Sequence, residues 1–229
     1  MKTCCPASSS NGRASVYSGN ATSDPGYLWN RSRELRTEGR VQEAASLLAA
    51  HPPLSARPFN PTAWIEEHLA VARQSSSQGA QQIAARAAES FANESEIVEG
   101  PYKLRDDYTS LMWLGGTRAL WNLGDGNAAA PLFYRYGAAA KTPQTRSKGF
   151  FWAGHAAQQA GNQAEATRYY QMAAAYPEYF YGLLARERLG QGGPAAPPLP
   201  ATQPTPEQRA VLFCTLTPSS RRWPRCAAR

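Results

Sequence analysis

One pattern recurs along this 229-residue chain and restricts its fold more than any other feature. An apolar segment with helical spacing leads into a turn that holds a glycine, and an alanine-rich segment follows, often closed by proline. The copies are "LWNRSRELRTEGRVQEAASLLAAHPP", "PTAWIEEHLAVARQSSSQGAQQIAARAAESF", "YTSLMWLGGTRALWNLGDGNAAAPLFYRYGAAAKTP" and "SKGFFWAGHAAQQAGNQAEATRYYQMAAAYP". Their turn glycines, Gly39, Gly79, Gly124 and Gly161, step by 40, 45 and 37 residues. From Asp24 onward no sustained two-residue alternation of the strand kind interrupts the helical spacing.

Helix pairs repeating every roughly 34 to 47 residues are the mark of tetratricopeptide-like and related α-solenoids. The predicted fold is therefore all-α, a right-handed superhelix of stacked helix-turn-helix pairs over residues 24–190, with irregular ends. In the fourth copy Phe151, His155 and Gln158 fall on one stripe, while Ala153, Ala156, Ala157 and Ala160 offer small surfaces to a partner helix. Tyr169 and Tyr170 are long enough to reach a neighbouring pair. His155 is expected to find a backbone partner. Each pair is too small to bury its own apolar face, so the pairs must stack.

Charge separates the ends from the body. Residues 1–23 and 214–229 carry six basic residues and no acid, so the segment between them holds 18 basic against all 17 acidic residues. That near balance describes a solvated mixed-sign surface, not a nucleic-acid interface, despite the net charge of +7. Cys4, Cys5, Cys214 and Cys226 also lie only in the ends, at spacings that suit neither a disulfide framework nor a metal. We read residues 1–23 and 214–229 as irregular segments, candidates for out-of-frame translation. Residues 191–204, rich in proline and glycine, read as a linker. Thr205-Pro206-Glu207 then reads as the cap and first turn of a further helix over 205–213. No apolar run approaches the roughly 20 residues of a membrane span, and none near the start reaches the apolar core of a signal peptide.

Chemistry-bearing constellations are sparse. His51, His68 and His155 are scattered, and the neighbours Glu67 and His68 cannot both project to one helical face, so no metal or other cofactor is expected. Asp106 and Asp107 point about 100° apart on a helix, which suits complementing a helix start better than flanking a glycosidic bond. "LGGTRALWNLGDG" lacks the Lys-Ser/Thr of a phosphate loop.

Residues 141–190, "KTPQTRSKGFFWAGHAAQQAGNQAEATRYYQMAAAYPEYFYGLLARERLG", carry a resemblance. Arg146-Ser147-Lys148 opens a helix, Phe151-Trp152-Ala153-Gly154 and an Ala160-Gly161 turn follow, and Tyr176-Pro177 leads to Phe180-Tyr181-Gly182-Leu183-Leu184-Ala185. As a set these resemble the end of the α-superhelical region of soluble lytic murein transglycosylases, and earlier segments extend the likeness to about Asp24–Phe213. The resemblance implies the scaffold of a periplasmic enzyme of peptidoglycan turnover. That enzyme cleaves between N-acetylmuramic acid and N-acetylglucosamine, without water, to leave a 1,6-anhydro end. Glycan strands would then be met through a lysozyme-like domain marked by Glu-Ser-x-Phe-like and Gly-Leu-Met-Gln-like elements. Neither element follows residue 190, so this chain is expected not to be catalytic by itself.

The alternative is a stand-alone tetratricopeptide-like module with a protein partner on its concave face. A third reading gives catalysis to Glu89 of "AAESFANES", where nothing in the neighbouring sequence builds the pocket a general acid needs. The candidate interdomain or repeat-capping residues are Tyr176, Tyr179, Phe180 and Tyr181. Pro177 should stop one helix with Tyr176 extended, and Phe180 or Tyr181 should be buried between the last two helices.

Overall fold

The computed structural model describes residues 21–192 and 205–207. The chain divides into two units, 1–193 and 194–229. In the second only residues 205–207 are described, with Pro206 and Glu207 helical. The four cysteines and the two segments read as irregular lie almost wholly outside the described residues. The exception is Ala21–Ser23, a short 3-10 turn.

Every described element is helical, with no strand among the described residues. Short polar side chains start many of the helices. The Asp24 carboxylate accepts from Tyr27 N–H at 2.7 Å to open α1 (Pro25–Thr37), followed by α2 (Val41–Ala50). Asn60 opens α3 (Pro61–Gln74) and Ser76 opens α4 (Ser77–Glu89). Pro25 and Pro61 sit at first helical positions, where the missing N–H costs nothing. A short α5 (Ser95–Glu99) precedes α6 (Tyr102–Thr117), which continues into a π-helical turn, Arg118–Asn122. Asp125 caps α7 (Gly126–Ala138), α8 spans Pro143–Gln159, Asn162 caps α9 (Gln163–Ala174), and α10 is Phe180–Arg188.

The turns at Gly39, Gly124 and Gly161 have φ of 80°, 68° and 79°, the left-handed region that favours glycine. The second copy departs from the expected plan. Its turn is Ser75-Ser76, and Gly79 lies inside the first turn of α4, where its N–H donates to the Ser76 hydroxyl at 3.1 Å. Asp106 and Asp107 are likewise not at a helix start: they lie a turn inside α6, with Asp107 paired to Lys103 at 2.8 Å.

Helices pack as sequential pairs, α1 on α2, α3 on α4, α6 on α7 and α8 on α9. Contacts also join α7 to α8, α9 to α10, α1 to α3, α2 to α4, α3 and α4 to α6, α4 to α7 and α8 to α10. Two apolar clusters result. One gathers Leu28, Leu48, Trp64, Ile65, Ile83, Leu111 and Met112; the other gathers Phe133, Phe150, Phe151, Tyr169 and Tyr170. Alanines make the close approaches possible: Ala153, Ala156 and Ala157 are buried, as are Ala84, Ala87 and Ala88. Tyr169 reaches Tyr134 of α7, ring centroids 5.6 Å apart. Tyr170 donates from its hydroxyl to Gln158 Oε1 at 2.8 Å.

The first cluster contains a charge that the sequence does not advertise. Glu67 of α3 is 3% exposed and accepts from Ser32 Oγ at 3.0 Å and from Arg36 Nε and a terminal guanidinium nitrogen at 3.0 and 2.8 Å, both donors lying on α1. The carboxylate in turn holds the Arg36 guanidinium above its ordinary pKa. Beside it His68 is fully buried. Its Nδ1–H donates to the Trp64 carbonyl at 2.8 Å, and its Nε2 has no partner. His51 repeats the arrangement on the Pro52 carbonyl at 2.7 Å, and both rings flank Trp64.

Removing one member of a buried ion pair leaves the other charge uncompensated. Arg36→Met is therefore expected to cost about 3 kcal/mol or more, against about 1 kcal/mol for Ser32→Ala, in urea unfolding at pH 7. Equal costs would overturn the ion-pair account. Burial pushes His68 down to about 4. A depressed pKa means the unfolded chain binds the proton first, so the stability contribution is complete above pH 6.5 and lost as pH falls from 6.5 toward 4. The loss is about 3 kcal/mol. His68→Leu should flatten the urea midpoint between pH 7 and 4.5, and an unchanged slope would show that His68 does not set it.

Candidate functional site

Arg146, on the first turns of α8, ties two connections together. Its Nε donates to the Tyr176 hydroxyl at 2.8 Å, and a terminal nitrogen donates to the carbonyls of Ala138 and Ala140 at 3.3 and 3.1 Å. The end of α7 is thereby joined to the α9–α10 junction. At that junction α10 lies directly on the Tyr176 carbonyl. A Cβ on Gly182 would stand 1.9 Å from Tyr176 O, so no side chain fits.

The four aromatics of the junction do different things. Tyr176 holds the Arg146 bond. Tyr179 is the half-buried residue before α10, with extended backbone (φ −108°, ψ 146°). Tyr181 is half-buried with its ring 5.5 Å from Phe151 of α8. Phe180 is 67% exposed and turns outward beside Leu183, so the expectation of burial fails for Phe180. The physical reason is the register set by Gly182: seating that residue on Tyr176 puts Tyr181 toward α8, while Phe180, about 100° round the helix, stays at the surface with its ring edge-on to Tyr181 at 5.1 Å.

A second grouping, which the sequence reading did not assemble, joins α6, α7 and α8. At the end of α6, Leu123 N–H bonds to Arg118 O at 3.2 Å, the i→i+5 bond of a π turn. The turn presents Trp121, 56% exposed, edge-on to Trp113 of α6 at 6.4 Å and to Trp152 of α8 at 5.3 Å. Single π turns within α-helices are frequent at functional sites. Lys148 Nζ lies 3.6 Å from the Trp113 ring centroid and 5.6 Å from that of Tyr136. Burial pushes the Lys148 ammonium below its ordinary pKa, and it forms no salt bridge among the described residues. His155 meets Trp152 edge-on at 5.4 Å in place of the backbone partner expected for it. Burial first, and then the nearby Arg188, lower its pKa. The Trp152 Nε1–H is buried without an acceptor among the described residues.

The signal for this face was present as Trp113, Trp121, Lys148 and Trp152, but they are separated by a helix end and a whole helix. Only the packing of α7 against both α6 and α8 brings them together.

Glu89 is exposed and paired with Arg86 at 2.8 Å, while the adjacent Ser90 accepts from Trp64 Nε1 at 3.0 Å. No group of three His, Cys, Asp or Glu side chains suited to a metal gathers among the described residues. No helix among the described residues is long and apolar enough to cross a membrane.

Compared with known proteins, the chain matches no family model, no curated protein and no solved structure.

Because Gly182 meets backbone, which cannot rotate away, Gly182→Ala is expected to cost about 3 kcal/mol or more. Tyr176→Phe, which removes one hydrogen bond, should cost about 1 kcal/mol. Thermal unfolding of the two variants side by side is the check, and a Gly182→Ala protein as stable as the parent would show that the junction is loosely packed.

Proposed function

We propose that residues 24–190 form a right-handed, tetratricopeptide-like superhelix that serves as the scaffold region of a soluble lytic murein transglycosylase. The scaffold is not catalytic by itself. It holds a lysozyme-like domain in the periplasm and confines the glycan strand that this domain cleaves, a positioning role.

One observation carries the reading. The residues that make up the resemblance hold one another: Arg146 bonds Tyr176, Phe151 meets Tyr181, and Gly182 seats on Tyr176. Gly154 belongs to the same set, because a Cβ there would come within 2.8 Å of the Tyr170 ring. Residues so interlocked serve a rigid junction, and rigidity is what a domain-bearing scaffold requires.

A second reading, a stand-alone interaction module with a protein partner, is favoured by the exposure of Trp121, Phe180 and Leu183. The coding DNA beyond codon 229, read in all frames, separates the two. Glu-Ser and Gly-Leu-Met-Gln elements within the length of one further domain, roughly 100 to 200 codons, support the scaffold, and their absence supports the module.

The chain and its Glu89→Gln variant, incubated with purified sacculi, are both expected to release no 1,6-anhydromuropeptides. Release by the parent that is lost in Glu89→Gln would overturn the scaffold reading in favour of an enzyme.

A further inference from the structure

Trp121 stands out energetically. An indole offers one of the largest apolar surfaces a side chain can bury, yet the π turn leaves this one 56% exposed on a bed of other rings. Nearby, Lys148 is a half-buried cation with no salt bridge among the described residues, and His155 and Arg188 add positive or titratable nitrogen close by. The face presents aromatic rings and an ammonium, with Leu123 exposed two residues beyond Trp121, whereas the groove at Phe180, Leu183 and Leu184 is chiefly aliphatic.

We propose that this face binds an anionic glycan strand, its sugar rings lying on Trp121 and its aromatic neighbours and its carboxylates drawn to Lys148. A pyranose ring presents C–H groups on its faces and oxygens around its rim. The C–H groups carry slight positive charge and favour the electron-rich face of an indole, while the rim oxygens accept from N–H and ammonium donors. The unpaired Lys148 selects an acidic polymer over a neutral one. That the strand is peptidoglycan, with carboxylates on its stem peptides, rests on the scaffold reading; the preference for an acidic sugar polymer rests on the face alone.

The test uses the full chain, with titration calorimetry and tryptophan emission as readouts. Three probes are used: soluble peptidoglycan strands retaining stem peptides, a neutral N-acetylglucosamine oligomer, and polyglutamate. The strands are expected to bind, and Trp121→Ala should weaken them about tenfold with an unchanged far-ultraviolet circular dichroism spectrum. Lys148→Met should weaken the strands several-fold and reduce the salt dependence of their binding, while leaving the neutral oligomer unaffected. Strand binding as tight in Trp121→Ala as in the parent, or no binding of the strands, overturns the proposal. So does polyglutamate binding with the same sensitivity to Trp121→Ala, which would make this an acidic-peptide surface. Strand binding without catalytic elements in the downstream DNA would sink the scaffold reading alone; the elements without Trp121-dependent binding would sink only this one.

Discussion

The main chains of α7 and α8 touch, and much of the second half of the molecule depends on that contact. A Cβ on Gly149 would lie 2.5 Å from both the Cα and N of Gly137, so the helices run closer here than any pair of side chains permits. This approach gives the stretch around Gly149 its reach. One turn earlier, Arg146 is near enough to bond the carbonyls that end α7 and still extend to Tyr176. The preceding residue, Lys148, leans over Trp113 of α6. The junction and the aromatic face are two consequences of one close crossing, and a bulkier residue at position 149 would loosen both.

The first half is held differently. Its helices α1 and α3 are joined by a buried carboxylate satisfied on several sides, and such a pair gives little net stability over an apolar replacement because both charges must leave water. What it provides is register: Glu67 has its donors only where Ser32 and Arg36 face it from one stripe of α1. Backbone contact fixes register in the C-terminal half and charge fixes it in the N-terminal half. The first tolerates no added atom; the second tolerates no lost partner.

Much of the helical plan was legible. Gly39, Gly124 and Gly161 mark turns because a left-handed residue after a helix is a local requirement that sequence states directly. Gly79 misled because glycine is also tolerated in a first helical turn, and the break was set by Ser75 and Ser76, which bond their own neighbourhood. Glu67 read as an ordinary surface acid because its partners lie more than thirty positions away. The π turn was not legible from Arg118–Asn122 themselves; it lies where the end of α6 packs on α4 and α7. The junction aromatics were correctly singled out as a group, yet which of them turns inward depends on Gly182, whose constraint is a backbone atom six positions earlier.

That dependence on Gly182 sets Phe180 apart from Trp121. Phe180 and Trp121 are both large, apolar and more than half exposed, but they reach the surface by opposite routes. Phe180 is exposed because a packing requirement at Gly182 leaves it no inward direction, and its neighbours Leu183 and Leu184 form an aliphatic groove. Trp121 is exposed by a local departure from α-helical winding, above rings that already fill the space beneath it. An aliphatic groove at the end of a helix stack presents the surface a further packed element buries, whereas an indole raised on other indoles beside an unpaired ammonium presents polar and apolar contacts together. The same apolar exposure therefore supports different chemistry at the two places, and it is the neighbours of each ring, not the ring itself, that carry the distinction.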